Sequence, residues 1–369
     1  METNYRPTKA IVDLSAIDHN IKLLKKRVEG AKLIAVVKAD AYGHGVLQIV
    51  RQALRSGASM LAVATPDEAI HLRENGVEAE LLVMGASPVR FIEVAIKHNI
   101  NLTAYSMEWL EAAAEELERE VGSLKIHMKF DTGMRRIGFQ PEEAEAVFGF
   151  VGQHPFSVEG LYTHFATADE AENPLFLKQV KEINTIRKKW RGKDLLFHVS
   201  NSAAAILHPE LSFDAVRTGI SIYGITPSAY VKKEMPFKLQ QAMSLETEIV
   251  HVKKVKKGET LSYGATYMCE KDEWIATLPI GYADGLIRGL QGQEVLVQGE
   301  RMPIVGRICM DQCMIRLTER FPVGEKVQLL GSQKGDTILI EDWAEKLGTI
   351  PYEIPCILTN RVPKEYTGG

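Results

Sequence analysis

Short runs of branched aliphatic residues alternate with amphipathic stretches through the first two thirds of the chain. The runs predict strands over Leu33–Lys38, Met60–Ala64, Leu81–Met84, Leu102–Tyr105, Lys125–Phe130, Val158–His164, Leu196–Val199 and Ala215–Arg217. They do not alternate strictly between apolar and polar, the pattern of strands covered on both faces. Helical periodicity precedes the first strand at Ala16–Val28. It recurs at Val46–Ser56, Pro66–Asn75, Pro88–His98, Met107–Glu120, Pro141–Gln153, Pro174–Trp190 and Ser202–Leu207. Pro66, Pro88, Pro141 and Pro174 sit where a helix begins, a position that tolerates a missing N–H. Strands and helices alternating in this number predict an α/β fold with an N-terminal (β/α)8 TIM barrel; a doubly wound open sheet is the alternative.

Beyond about Pro227 the helical period fades. Glu246–Lys256, Trp274–Ile280, Glu294–Gln298, Arg301–Gly306 and Lys326–Leu330 read as strands separated by turns, and only Ile340–Leu347 reads as a helix. The expected division is a barrel over residues 1–238 and a C-terminal mostly-β domain over 239–369. No long linker, internal repeat or low-complexity tract interrupts it.

A length of 369 residues agrees with two domains. The chain is 45% hydrophobic and 25% charged, with a formal net charge of -4, which argues against a nucleic-acid or membrane-surface partner. No apolar run approaches the ~18–20 residues that span a bilayer. The first residues lack the basic region and apolar stretch of a secretory signal. A cytoplasmic protein is the expectation. Cys269, Cys309, Cys313 and Cys356 are too few for a disulfide framework. Cys309 and Cys313 have the look of half a metal site, but no matching pair follows at zinc spacing; reduced thiols and no metal are expected.

Barrel enzymes gather their chemistry at the C-terminal ends of the strands, with phosphate held after strands seven and eight. Here the first strand ends at Lys38, within AlaValValLysAlaAspAlaTyrGlyHisGly. A lysine ending an apolar strand either snorkels to water or, with its pKa lowered by burial, forms a Schiff base with an aldehyde. The fifth strand runs into LysPheAspThrGlyMetArgArgIleGly, the sixth ends at His164, the seventh leads to Ser202, and the eighth ends at Arg217, before ThrGlyIle. Singly, His164 reads as an interior histidine and Ser202 as a helix cap; together they share one rim. Ser202 with the backbone of Gly219 and Ile220 makes an anion site. A phosphate opposite a lysine describes pyridoxal phosphate, and equally a phosphorylated sugar bound by a lysine aldolase.

The lysine segment resembles the cofactor-attachment signature of alanine racemases. Asp131–Arg136, Arg217–Ile220, LeuSerTyrGly around Tyr263, Gly281–Gly285 and Gly306–Gln312 extend the resemblance, in order, over essentially the whole chain. It implies a barrel plus β domain, residues 9–13 joining the β domain, and a head-to-tail homodimer whose active sites are each completed by the other subunit. It also implies an alanine racemase supplying D-alanine for peptidoglycan. In that scheme Lys38 carries pyridoxal 5'-phosphate. Tyr42, Ser202, Gly219, Ile220 and Tyr352 hold its phosphate, and Arg217 faces its ring nitrogen. Arg136 and the Met310 backbone N–H bind the substrate carboxylate. Tyr282 lines the entrance with Asp311 nearby, and Lys129 matches a lysine that relatives carbamylate. Arg135 departs from the pattern, adding a cation beside Arg136.

Racemisation removes a proton from one face of a carbon and returns one to the other, which suits two opposed groups. The resemblance assigns these to Lys38 and Tyr263, with His164 and Arg217 lowering the tyrosine pKa from about 10. An arginine does not yield its proton to the ring nitrogen, so the electron sink is weakened and transamination suppressed. Three alternatives remain at this level: a barrel-type amino-acid decarboxylase, which Arg217 disfavours; a cofactor-carrying protein without turnover, which the β domain disfavours; and a related racemase with serine or broad specificity.

Overall fold

The computed structural model describes residues 5–118 and 122–369. Its first strand, β1 (Lys9–Asp13), hands the chain directly to a helix, α1 (Leu14–Arg27), through Asp13, whose carboxylate accepts from the backbone N–H of Ser15 and Ala16. An N-cap of this kind satisfies donors that the first helical turn leaves free.

Among the described residues, eight parallel strands then form a barrel: β2 (Lys32–Val36), β3 (Met60–Val63), β4 (Leu81–Val83), β5 (Asn101–Ala104), β6 (Leu124–Lys129), β7 (Phe156–Tyr162), β8 (Leu196–Phe197) and β9 (Ala215–Thr218). They pair in sequence order, and β9 pairs with β2. The (β/α)8 expectation is met and the open sheet set aside. Between β8 and β9 the ladder gives way to single bonds, Asp214 N–H to Phe197 O at 3.2 Å and Arg217 N–H to Ser200 O at 2.9 Å.

The strand ends depart from the sequence pattern where function would. The run read as ending at Lys38 stops at Val36, and the run read through Val199 stops at Phe197. In the second case the carbonyls of His198 and Val199 accept from the Arg217 side chain. The helices expected to begin at Pro88 and Pro141 open instead with a tight turn, at Val89–Phe91 and Pro141–Glu143, before Ile92–Lys97 and Ala144–Val151. The helix read as Met107–Glu120 is described as far as Leu117, with Glu120 outside the described residues.

The barrel interior is apolar on β2 to β4, where Ile34, Met60 and Leu82 face in, and polar on β5 to β9. Period two along β6 sends His127 and Lys129 to the same face; both are buried. Thr103 of β5 meets the Tyr162 hydroxyl of β7 at 2.7 Å, and His127 meets His198 at 2.8 Å. Buried polar groups are costly unless paired, so a barrel interior of this composition is organised around a site.

The C-terminal region folds as β10 (Met243–Glu248), β11 (His251–Val255), β12 (Thr260–Leu261), β13 (Tyr267–Met268), β14 (Glu273–Leu278), β15 (Glu294–Val297), β16 (Glu300–Val305), β17 (Cys313–Leu317), β18 (Lys326–Gln333), β19 (Asp336–Ile338) and β20 (Lys364–Thr367). Most join one twisted sheet, in which β1 lies between β10 and β20, with Ala10 opposite Leu245 on one side and Lys364 on the other. The helix at Ile340–Leu347 is present. A further single turn, Glu353–Cys356, is too short to show periodicity in the sequence. Among the described residues no helix is long and apolar enough to cross a membrane.

Candidate active site

Lys38 leaves the barrel just beyond β2, and the four residues after it, Ala39, Asp40, Ala41 and Tyr42, all lie in the left-handed region, with φ of 53°, 52°, 55° and 51°. For residues with a Cβ this costs about 1–2 kcal/mol each, so the surroundings must impose it. Glu68, at the head of the helix Pro66–Glu74, accepts from Ala39 N–H at 2.6 Å. The Asp40 carboxylate accepts from Val46 N–H at 2.8 Å. His44, fully buried, donates from Nδ1 to the carbonyls of Ala41 at 3.1 Å and Tyr42 at 2.9 Å. Burial holds the pKa of His44 down at about 4, so the ring is neutral. The turn presents the Lys38 amine 5.9 Å from the centre of the Tyr42 ring. Burial, then the nearby charge of Arg136, lower its pKa, against smaller opposing effects of Glu68 and Cys356. A lowered pKa leaves more of the amine nucleophilic.

Arg217, 3% exposed, spans the barrel floor beneath this rim. Its Nη2 donates to Thr163 O at 2.8 Å and Val199 O at 3.2 Å, and lies 3.4 Å from His164 Nδ1. Its Nη1 donates to the His198 carbonyl and to His198 Nδ1, the latter at 3.1 Å. Burial, with Arg136 adding to it, lowers its pKa to about 10, so it is a cation at neutral pH. His164 is held well below its ordinary range by burial and by Arg217, Arg136, Lys129 and Lys38. The Tyr162 ring backs the group: His198 stacks on it at 4.8 Å, and Arg217 lies 5.0 Å from its centre.

Beside the Lys38 turn, beyond the neighbouring strand β9, is a cradle for an anion. The Ser202 hydroxyl accepts from Gly219 N–H at 3.0 Å. A Cβ on Gly219 would stand 2.5 Å from the Tyr42 hydroxyl oxygen, so only glycine lets that phenol approach the backbone. Ile220 follows at the head of a tight turn. Tyr352 stands 6.3 Å from Tyr42, ring centre to ring centre. The fully buried hydroxyls of Thr218 and Ser221, either side of Gly219 and Ile220, have no hydrogen-bond partner among the described residues. A nucleophilic amine, a hydroxyl-and-amide cradle and a permanent cation on the same rim fit a phosphorylated aldehyde with a ring nitrogen. The donor set therefore suits pyridoxal phosphate.

Lys129, 5% exposed, lies 5.6 Å from the Tyr162 ring centre. Burial, Arg136 and Arg217 bring its pKa down to about 7. Arg136 is itself exposed on the rim. Arg135, the odd cation of the sequence, is turned aside: its φ is 55° and its guanidinium donates to Gln140 at 2.7 Å. Among the charges that lower Lys38 and Lys129 is that of Arg136, and Arg135 is not one of them.

The remaining candidates sit on the β domain. Tyr263 is 72% exposed at the tip of the β12–β13 hairpin, and Met310 is 53% exposed in the turn before β17. Tyr282 N–H donates to Cys309 O at 3.0 Å and Ala283 N–H to Met310 O at 3.0 Å, fastening the Tyr282 and Met310 turns together. Asp311 pairs with Arg361 at 2.8 Å. Thus the chain gathers Lys38, Tyr42, Lys129, Arg136, His164, Ser202, Arg217, Gly219, Ile220 and Tyr352 on one rim. It gathers Tyr263, Tyr282, Met310 and Asp311 on a second, solvent-facing cluster. None of the charges that shift Lys38 or His164 comes from that cluster.

The sequence reading passed over His198 and His127, which stand behind Arg217, and His44, which holds the lysine turn. His127 was legible: it shares the period-two face of Lys129 in LeuLysIleHisMetLys. His198 and His44 follow irregular backbone that no periodicity marks.

Comparison with known proteins places these residues in company. The model of the alanine racemase N-terminal domain matches residues 12–227, and that of the alanine racemase C-terminal domain matches residues 242–366. The chain is 47% identical to an alanine racemase of Halalkalibacterium halodurans, over 99% of this chain and 96% of that one. It superposes on the crystal structure of alanine racemase from E. faecalis with a TM-score of 0.95 at 42% identity, covering 100% of both chains. A structure of alanine racemase from Bacillus anthracis with bound L-Ala-P matches with a TM-score of 0.94 at 42% identity, over 100% of this chain and 97% of that chain.

Proposed function

The chain belongs to the alanine racemase family and interconverts L- and D-alanine, and we propose that it does so with pyridoxal phosphate held by Lys38 and with Lys38 and Tyr263 as opposed proton-transfer groups. Ser202, Tyr42, Gly219, Ile220 and Tyr352 would hold the phosphate, and Arg217 would meet the ring nitrogen. Once bound, the cofactor supplies an aldehyde and a conjugated ring that together acidify the α-hydrogen of an amino acid joined to them.

The rest is the protein's work. Arg217 stays protonated beside the ring nitrogen, because an arginine at a pKa of about 10 is still a cation at neutral pH. That limits electron withdrawal and keeps the proton exchange at the α-carbon. Arg136 and the Met310 N–H orient the substrate carboxylate. The Lys38 amine takes or returns a proton on one side of the α-carbon. The Tyr263 phenol does the reverse on the other, so one proton leaves and one arrives and only the configuration changes. Tyr263 is supplied by a second copy of the chain, in a homodimer that also covers its exposed ring. Tyr282 and Asp311 line the entrance to the shared site. D-alanine formed in this way is a building block for peptidoglycan.

The observation that carries the reading is the single rim bearing a depressed-pKa lysine, a Ser–Gly anion cradle and a buried arginine. Chiral analysis of products from a panel of L-alanine, L-serine and larger amino acids tests it. Racemisation of alanine is expected, abolished in Lys38→Ala together with the cofactor's absorbance. Tyr263→Phe should keep that absorbance and lose most turnover. A fully active Tyr263→Phe enzyme would overturn the two-group scheme.

A further inference from the structure

The residue before Tyr263 has a backbone that a side chain rarely tolerates. Ser262 lies at φ 64°, ψ 179°, a region that is otherwise almost exclusive to glycine. Immediately before it the hairpin is well supported: Thr260 pairs with Met268 and Leu261 with Tyr267, Leu261 is buried against Val255, Cys269, Ile275 and Val305, and the Tyr267 hydroxyl donates to Glu273 at 2.7 Å. The tip beyond is exposed. Something other than stem packing must hold the tip in an unfavourable shape, and strain of this kind persists only where the surroundings over-determine it.

The Ser262 side chain provides the fastening. Its hydroxyl donates to the Arg307 carbonyl at 2.6 Å and lies 3.7 Å from Cys309 Sγ. Gly306, with φ of 67°, makes the approach possible, since a Cβ there would stand 2.9 Å from the Ser262 Cβ. The Arg307 guanidinium closes over the tip, 3.0 Å from where a Cβ on Gly264 would be. The segment to which the hairpin is tied, Gly306–Cys309, runs straight into Met310.

We propose that Ser262 is a positioning residue for the proton transfer: its strained backbone aims the Tyr263 phenol, and its hydroxyl couples the hairpin tip to the Arg307–Met310 segment, so that the phenol and the Met310 N–H form one rigid element. Alanine here would keep the strain without the tether, and glycine would remove both. The inference rests on Tyr263 being a proton-transfer group.

Ser262→Gly and Ser262→Ala in the full-length holoenzyme test it, beside Tyr263→Phe. Misplacing a reacting group by an ångström or so costs up to about 100-fold in rate; a fall in kcat of about tenfold or more is expected in both Ser262 variants. The α-deuterium isotope effect should change for the one enantiomer of alanine whose proton Tyr263 removes and stay constant for the other. A general loss of structure would not produce that asymmetry. Amide hydrogen exchange in residues 260–268 should quicken in Ser262→Gly while the barrel strands stay protected, and its melting temperature should not fall. Turnover within about twofold of the parent in Ser262→Gly, or isotope effects that change equally for both enantiomers, would overturn the clamp. If instead Tyr263→Phe is itself fully active, the assignment of Tyr263 has failed and not the geometry of Ser262.

Discussion

Arg217 donates to Nδ1 of His198 at 3.1 Å, and because an arginine has no acceptor to offer, that imidazole must carry its proton on Nε2. The Nε2–H in turn donates to Nδ1 of His127 at 2.8 Å. The barrel interior thus holds a directional row of donors that starts at a permanent cation and keeps both histidines neutral. Burial and the Arg217 charge push His127 down to about 3, and His198 well below its ordinary range. The Arg217 guanidinium is oriented from behind by this row.

Replacing Arg217 removes donors from the carbonyls of Thr163, His198 and Val199. Each unsatisfied buried group costs about 1–3 kcal/mol. Arg217→Glu is therefore expected to lower the melting temperature. With a carboxyl group there able to share its acid proton with the ring nitrogen, it should also lower racemisation by about 100-fold and release keto acid from alanine. Calorimetry and chromatography of the products check both outcomes; an unchanged product pattern would contradict the role given to Arg217.

At the anion cradle, Gly219→Ala drives a Cβ against the Tyr42 hydroxyl. The phenol must move, and one good hydrogen bond to phosphate is worth about tenfold in affinity. Cofactor titration followed by absorbance should show weaker binding by about 10–100-fold. The folded fraction before cofactor is added should be close to the parent's.

Lys129 links pH to stability with a definite sign. Its pKa is about 7 in the fold and about 10.4 unfolded. Between those values the unfolded chain binds the extra proton, so stability rises with pH across that window, and the penalty is at its full size below pH 7. Lys129→Met should flatten the rise and be the more stable protein at pH 7, in chemical denaturation at matched pH. The neutral fraction of the amine at this pH is also competent to take up CO2. Intact mass after incubation with bicarbonate should gain one carboxyl adduct, absent in Lys129→Met.

Acid should unfold the protein through its interior histidines. His44 and His127, at about 4 and about 3, titrate near 6.5 once unfolded. As pH falls below 6.5 the unfolded state takes up protons that the fold refuses, and stability drops steadily toward those lower values. His44→Asn, which can donate to one carbonyl of the lysine turn without titrating, should remove part of this slope in acid denaturation followed by circular dichroism. The Lys38 turn should be the first segment to lose exchange protection.

The barrel was legible because its signal is repetitive: apolar runs, proline-led helices, and chemistry where each strand stops. Lys38, His164, Ser202 and Arg217 were marked by position alone. What the sequence concealed is what the tertiary structure forces on the backbone. Nothing local announces that Ala39 to Tyr42 wind left-handed, since alanine does not choose that conformation unaided; Glu68 supports it from another element and His44 from just beyond the turn. Ser262 was equally silent, being ordinary by residue type and unusual only in its torsion angles. Ends were misplaced at Lys38 and Val199 because hydrophobicity continues after strand pairing has ceased.

The strand at Lys9–Asp13 has a consequence for how the molecule is made. Among the described residues Ala10 pairs with Leu245 and Lys364, so a growing chain carries this segment unpaired until both of those distant strands have been synthesised. Closing so large a loop is slow, and an apolar strand waiting with both edges open invites association with other chains. Loss of a few residues around Lys364–Thr367 would therefore strip a partner from Lys9–Asp13, and a proteolytic cut there would be felt more than 350 residues earlier in the chain.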